Sequence, residues 1–151
     1  KLAKKSDVIT ILNPAPAIKI DDEFFKYIDY FTPNETEAEF YFGKKIENYN
    51  EAKLAGDFFI KKGVKNSIIT LGDKGIYFTD RSTHFSLPAL DLKNKVKDTT
   101  GAGDAFNGGL AYALSKNKSI KECLNIANQV AGLSTLKLGA GNSMPLLTDL
   151  K

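Results

Sequence analysis

Short β-branched runs alternate with amphipathic helical stretches across residues 7–71, and that alternation constrains the fold more than any other feature of the chain. "DVITILN" (7–13) reads as a strand stopped by "NPAPA", where Pro14 and Pro16 remove backbone donors. "DDEFFKYI" predicts a short amphipathic helix, and "DYFT" a second strand ending at Pro33. "NETEAEFYFG" predicts a helix with Asn34 at its N-cap and Gly43 past its end. From Asn50, "EAKLAGDFFIKKG" predicts another helix with an apolar stripe of Leu54, Ala55, Phe58 and Phe59, Lys61 and Lys62 at the negative end of its dipole, and Gly63 as the stop. "NSIITL" reads as a buried strand.

Strand–helix–strand units of this kind imply an α/β fold with a largely parallel sheet and helices covering its faces. The pattern then changes. "SIITLGDKGIYFTDRSTHFSLPAL" holds β runs separated only by "GDKG" and "DRST", so a β meander finishes the sheet. His84, the single histidine, alternates with polar neighbours there and reads as a strand-surface residue. After the Lys-rich "LKNKVK", the small-residue stretch "AFNGGLAYALSK" predicts a helix whose Ala, Gly and Leu face could pack closely on another helix, and a final long helix follows. That helix has a Ser119/Glu122 capping box and apolar positions Ile120, Leu124, Ala127 and Ala131. No repeat and no Pro-, Gly- or Ser-rich linker divides residues 1–151.

Composition removes several classes of function. The net charge is +3, and Arg81 is the only arginine among 21 basic residues. Base readout leans on Arg, and no aromatic-basic stripe is present, so nucleic acid is not an expected partner. No apolar run is long enough to cross a bilayer, and the lone Cys123 falls in a helical pattern as a small buried apolar residue. A single cysteine, which cannot form an internal disulfide, suits a reducing cytoplasm. "KLAKK" at the start reads as the end of a helix, and the expectation is that the chain is a fragment.

The stretch richest in chemistry is "DTTGAGDAF" (98–106). Gly101, Ala102 and Gly103 carry almost no side chain, so backbone N–H groups there can approach an anion closely, and Asp104 falls where a helix begins. Taken alone, the loop reads better as a Gly-rich turn whose Asp merely caps a helix. Asn34 and Glu37 likewise have capping-box spacing. Gly72 and Gly75 would serve a tight turn with or without a ligand.

Four motifs occur in one order: "LNPAPA" after a strand, "TPNETEAE" opening a helix, "TLGDKG" at a hairpin and "DTTGAGDAFNGG" opening another helix. Over essentially the whole chain this resembles the C-terminal half of the phosphofructokinase-B type of sugar kinase, with "PNETEAE" and "LNPAPA" pulling toward the ribokinase branch. The resemblance implies a ribokinase-like three-layer α/β/α fold lacking its N-terminal part and lid. It implies ATP-dependent phosphorylation of D-ribose by the full-length protein, or of another sugar or nucleoside. A non-catalytic nucleotide-binding module is the alternative from another class. The fragment alone would be inactive, and the full-length protein a homodimer through the lid.

The same resemblance implies site residues. Asp104 would be the catalytic base and the one remaining sugar contact, with the backbone of Gly101, Ala102, Gly103 and Asp104 as anion hole. ATP would meet Asn34, Thr70, Leu71, Gly72, Asp73, Lys74, Gly75, Gly103 and Asn128. Glu37 would lie in the shell of Mg2+ through water. A monovalent cation, K+, would take oxygens, largely carbonyls, from Asp98, Thr100, Ser134, Lys137, Gly139 and Ser143. For Lys137 the ligand would be the backbone oxygen. The bland alternatives are a solvent-facing amide at Asn128 and a helix C-cap with a Gly-rich turn at 137–143.

Overall fold

The computed structural model describes residues 1–150, which divide into two compact units, one of Lys1–Ser86 and one beginning at Leu87. In the first, β1 (Ile11–Leu12), β2 (Tyr30–Phe31), β3 (Asn66–Thr70), β4 (Ile76–Thr79) and β5 (His84–Leu87) form a five-stranded sheet in the order β1-β2-β3-β4-β5. β1 pairs with β2 and β2 with β3 in parallel, whereas β3 and β4 are antiparallel. The parallel half followed by a meander is the predicted arrangement. His84 is exposed at the start of β5, as its polar neighbours imply.

Helices α1 (Leu2–Lys5), α2 (Glu35–Phe42) and α3 (Tyr49–Lys62) complete this unit, together with a 3-10 helix over Asp22–Tyr27. On one side of β3 and β4, Ile69 and Tyr77 join Phe25, Phe31, Ala38, Ala55 and Phe59 in one apolar cluster. Ile68 and Phe78 point the other way by the two-residue period of a strand, and both are fully buried. β3 and β4 therefore carry buried residues on both faces, the pattern of an interior strand of an α/β sheet.

Four local expectations change. "DVITILN" yields only a two-residue strand, Ile11–Leu12, because its partner β2 is itself cut short before Pro33; Val8 and Ile9 stay more than half exposed. "DDEFFKYI" forms a 3-10 helix, a run too short to sustain α-helix nucleation, with Phe25 as its buried anchor. In α3 the inward stripe is Ala52, Ala55, Gly56 and Phe59, while Leu54 is 57% exposed. α3 lies so close to the sheet that a Cβ on Gly56 would come 2.6 Å from Cγ2 of Thr79, which selects small residues over Leu on that face. The helix also starts earlier than expected, capped by Asn48 in a box with Glu51.

The second unit is built on α4 (Ala102–Ser115) and α5 (Ile120–Ser134). Gly109 lets them approach: a Cβ there would lie 3.0 Å from Cα of Ala127 and from Cγ2 of Val130. Cys123, Leu124 and Ala127 are fully buried, and the Ser119/Glu122 capping box forms as predicted. Ile120 and Ala131 are only partly buried.

Asp29 ties the N-terminal ends of the parallel strands. Its carboxylate accepts bonds from the N–H and hydroxyl of Thr10, both 2.9 Å, and pairs with Lys65 at 2.6 Å and Lys4 at 3.4 Å. Burial alone would raise its pKa, but the Lys65 bond, the Thr10 bonds and the charge of Lys65 together bring it down to about 2 from an ordinary 3.8. Stability from this carboxylate is present above the unfolded value and is lost as pH falls through the folded one.

Two outcomes follow from this packing. Asp29→Asn should cost about 2 kcal/mol at neutral pH, and the gap from the unaltered chain should close as pH falls from about 4 to 2 in urea unfolding curves. Gly109→Val should cost about 1–3 kcal/mol through overpacking against α5, seen as a lowered denaturation midpoint.

Candidate functional site

Parallel pairing sends the chain out of β2 and β3 at the same edge of the sheet. Asn34 forms an isolated parallel bridge with Thr70, and the Thr70 N–H donates to Pro33 O at 3.0 Å. The N-terminus of α2 and the segment Thr70–Gly75 are thereby neighbours at the carboxyl ends of the strands, where open α/β sheets hold ligands.

At that edge Asn34 Oδ1 accepts the Glu37 N–H and Glu37 Oε2 accepts the Asn34 N–H, both at 2.8 Å. The capping role anticipated for this pair is formed, and Glu37 is buried in forming it. Gly72–Lys74 is a single 3-10 turn. It is closed by Lys74 N–H to Leu71 O at 3.0 Å, Gly75 N–H to Gly72 O at 3.1 Å and Leu71 N–H to Gly75 O at 2.7 Å. Gly72 and Gly75 both have positive φ, 55° and 97°, so the turn itself requires glycine there.

Glu35, which the sequence reading passed over, faces this turn: its Oε1 would lie 3.9 Å from a Cβ on Gly72. Burial pushes its carboxyl up, and neighbouring Asp73 and Glu39 add to that against the opposing charge of Lys74 and a bond from its own backbone. The available signal was its position one residue after an N-cap beside a Gly-rich turn.

The second unit carries the remaining candidates. Gly101 is the N-cap of α4 at φ 78°, and a Cβ there would strike Ala140 Cβ at 2.8 Å. The Ala102 N–H turns back to Thr99 O at 3.1 Å, and the first bond into the helix runs from the Ala105 N–H to Gly101 O at 2.8 Å. No side chain caps this helix. The N–H groups of Gly103 and Asp104 consequently face outward from its first turn without an acceptor among the described residues.

α2, α3 and α5 each close their N-terminus with a capping box, and α4 does not. Asp104 occupies the position from which an acid would complete such a box, yet its exposed carboxylate takes no hydrogen bond or ion pair among the described residues. The cap-only reading of "GAGD" is thus not what the fold adopts. Gly103 is equally telling: a Cβ there would meet nothing within 4 Å, so neither packing nor a positive φ demands glycine.

Behind this loop Asp98 acts as a clip. One carboxylate oxygen accepts the Thr100 N–H at 2.9 Å and the other the Gly139 N–H at 2.8 Å. The Thr100 hydroxyl, then these two N–H groups, hold its carboxyl below the usual range. The N–H groups of Lys97 and Asp98 both reach Thr135 O, at 2.8 and 3.2 Å, so residues 97–100 run beside the segment after α5. Ser134 and Ser143 are buried, each donating its hydroxyl to a carbonyl three residues back. Lys137 and Gly139 are exposed. The fold therefore brings all six cation candidates into one oxygen-rich neighbourhood, whereas no cluster of three His, Cys, Asp or Glu side chains exists among the described residues.

Asn128 Nδ2 donates to Pro88 O at 2.6 Å and holds the incoming loop to α5, so its amide is engaged within the chain and not simply solvent-facing.

The family model for the pfkB family carbohydrate kinases matches residues 1–147. A ribokinase of Lactococcus lactis is 40% identical over 151 residues, covering the whole of this chain and 47% of its own length. A ribokinase structure from Thermotoga maritima superposes with a TM-score of 0.86 at 38% identity, over 98% of this chain and 49% of that one. A ribokinase of Arabidopsis thaliana, solved with ribose and ATP, gives 0.84 at 33% identity over 94% and 46%. The chain spans about half the length of these relatives. No helix among the described residues is long and apolar enough to cross a membrane. On the family match and these likenesses, the chain belongs to the pfkB family of carbohydrate kinases.

Proposed function

We propose that this chain is the nucleotide and catalytic half of an ATP-dependent sugar kinase with D-ribose as acceptor, working in the cytoplasm. The observation that carries the reading is the first turn of α4, where the N–H groups of Gly103 and Asp104 and the Asp104 carboxylate are left unspent by the fold. Alanine is the better helix former, and neither a packing contact nor a positive φ calls for glycine at 103. A ligand approaching the backbone supplies the missing reason.

Phosphoryl transfer needs donors for charge spread over the equatorial oxygens and a group to take the hydroxyl proton of the acceptor. The N–H groups of Gly101, Gly103 and Asp104 serve as the donors. Ala102 contributes mainly its small size, since its own N–H is turned inward. The Asp104 carboxylate holds the sugar hydroxyl and accepts its proton, an acceptor-only group suited to both tasks. On the nucleotide side, Asn34 and residues Thr70–Gly75 line the phosphates and ribose of ATP. Asn128 supports the loop around Pro88, and any contact it makes with ATP is through its remaining amide oxygen.

Glu37 fits Mg2+ held through water: one carboxylate oxygen is committed to the cap, so the side chain offers a single oxygen. When bound, that ion neutralises charge developing on the transferred phosphoryl group. The oxygens of Asp98, Thr100, Ser134, Lys137, Gly139 and Ser143 suit K+, which prefers such hard donors. Sugar selectivity, a lid and a homodimer formed through it belong to the N-terminal half that relatives carry, and without that half this chain does not turn over ribose.

In a chain restored to the length of its relatives, Asp104→Asn should lower ribose-dependent ADP release at least about a hundredfold while leaving ATP affinity within about threefold. Near-native turnover would remove Asp104 from the role of base. The same restored chain should be faster in potassium than in a bulky organic cation at equal ionic strength. Equal rates would remove the 98–143 neighbourhood as a cation site.

A further inference from the structure

Lys74 is the one cation in the Thr70–Gly75 segment, and its place invites assignment to the phosphates of a nucleotide. The structure directs it elsewhere. Its Nζ donates to Glu47 O at 2.7 Å, in the segment just before α3. In return, the hydroxyl of Tyr49, the first residue of α3, donates to Lys74 O. The two bonds run in opposite directions between the same two segments and form a reciprocal brace. Glu35, on α2, adds a carboxylate within electrostatic reach of the same ammonium. Lys74 thus has its charge answered within the chain.

From this brace we infer that Tyr49 and Lys74 are positioning residues: they hold the Gly72–Gly75 turn in its nucleotide-accepting conformation, and the Lys74 ammonium does not bind phosphate. The inference rests on the kinase reading above and adds two roles to it. The turn is three residues long and closed by its own backbone bonds, two of them dependent on glycines at positive φ. Such a turn has little packing of its own; Gly72, Asp73 and Lys74 are exposed. An external tie to the start of a fourteen-residue helix supplies the rigidity it lacks. Pre-ordering a loop before its ligand arrives is worth affinity, because the ordering cost is no longer met on binding.

The test is a titration of this chain with Mg-ATP and Mg-ADP by calorimetry, at low and moderate salt, for the unaltered protein, Tyr49→Phe, Lys74→Met and the double variant. Hydrogen exchange at the amides of Leu71, Lys74 and Gly75 is followed in the nucleotide-free proteins. If the brace acts as one unit, each single variant weakens both nucleotides by the same factor, about three- to tenfold. The double variant is then no weaker than the weaker single one, turn amides exchange faster in all three, and the salt dependence of binding is unchanged. Native-like affinity in Tyr49→Phe overturns the inference. So does a Lys74→Met variant that loses far more affinity for ATP than for ADP and flattens the salt dependence, since that marks a phosphate ligand. Failure of the unaltered chain to bind either nucleotide overturns the kinase reading along with the inference. That result is distinct from binding that the variants leave intact.

Discussion

The parallel pairing of β2 with β3 is the constraint from which the first unit follows. Two parallel strands cannot be joined by a tight turn, so the chain must leave β2, cross the sheet as helix and return to enter β3 in the same direction. α2 and α3 make that crossing. The consequence is positional: the segments leaving β2 and β3 emerge side by side, which is how Asn34 comes to bridge Thr70 although thirty-five residues separate a helix cap from a hairpin approach. Had β2 and β3 been antiparallel, the "NETE" and "TLGDKG" motifs would lie at opposite edges of the sheet.

The second unit obeys a different rule, in which small residues set distance. Gly109 draws α4 against α5, and Gly101 brings the loop before α4 against Ala140. Neither glycine is free to change, and both serve contacts inside the chain. Gly103, with open space where its side chain would be, stands apart from them. Among the four glycines of residues 101–109, the structure thus separates two kept for packing, Gly101 and Gly109, from two that packing does not explain, Gly103 at the start of α4 and Gly108 on its exposed face.

Much of this was legible in the residues. Caps announce themselves chemically, so Asn34, Gly43, Ser119 and Glu122 fall where expected. β-branched density in "NSIITL" marks a strand buried on both faces. What was not legible depends on distance between elements. Apolarity pointed to Leu54 as an inward residue of α3, but a helix seated this close to its sheet admits Ala and Gly and turns Leu outward. The motif "GAGD" could not by itself say whether Asp104 caps a helix; only the folded chain shows that no side chain caps α4. The Tyr49–Lys74 brace joins residues twenty-five apart, and nothing local in either segment announces it.

Asp29 gives the sheet two unlike ends. At one end the carboxylate of Asp29, just before β2, gathers Lys4 and Thr10 from before β1 and Lys65 from before β3, so the three parallel strands are fastened to one another independently of whatever happens at their far ends. The opposite end carries only loops and caps. A fold fastened in this lopsided way is modular in a practical sense: segments at the open end can be lengthened, shortened or exchanged between relatives, and strand register will hold. Change at that end is then confined to loops, with the fastening left as the inherited part.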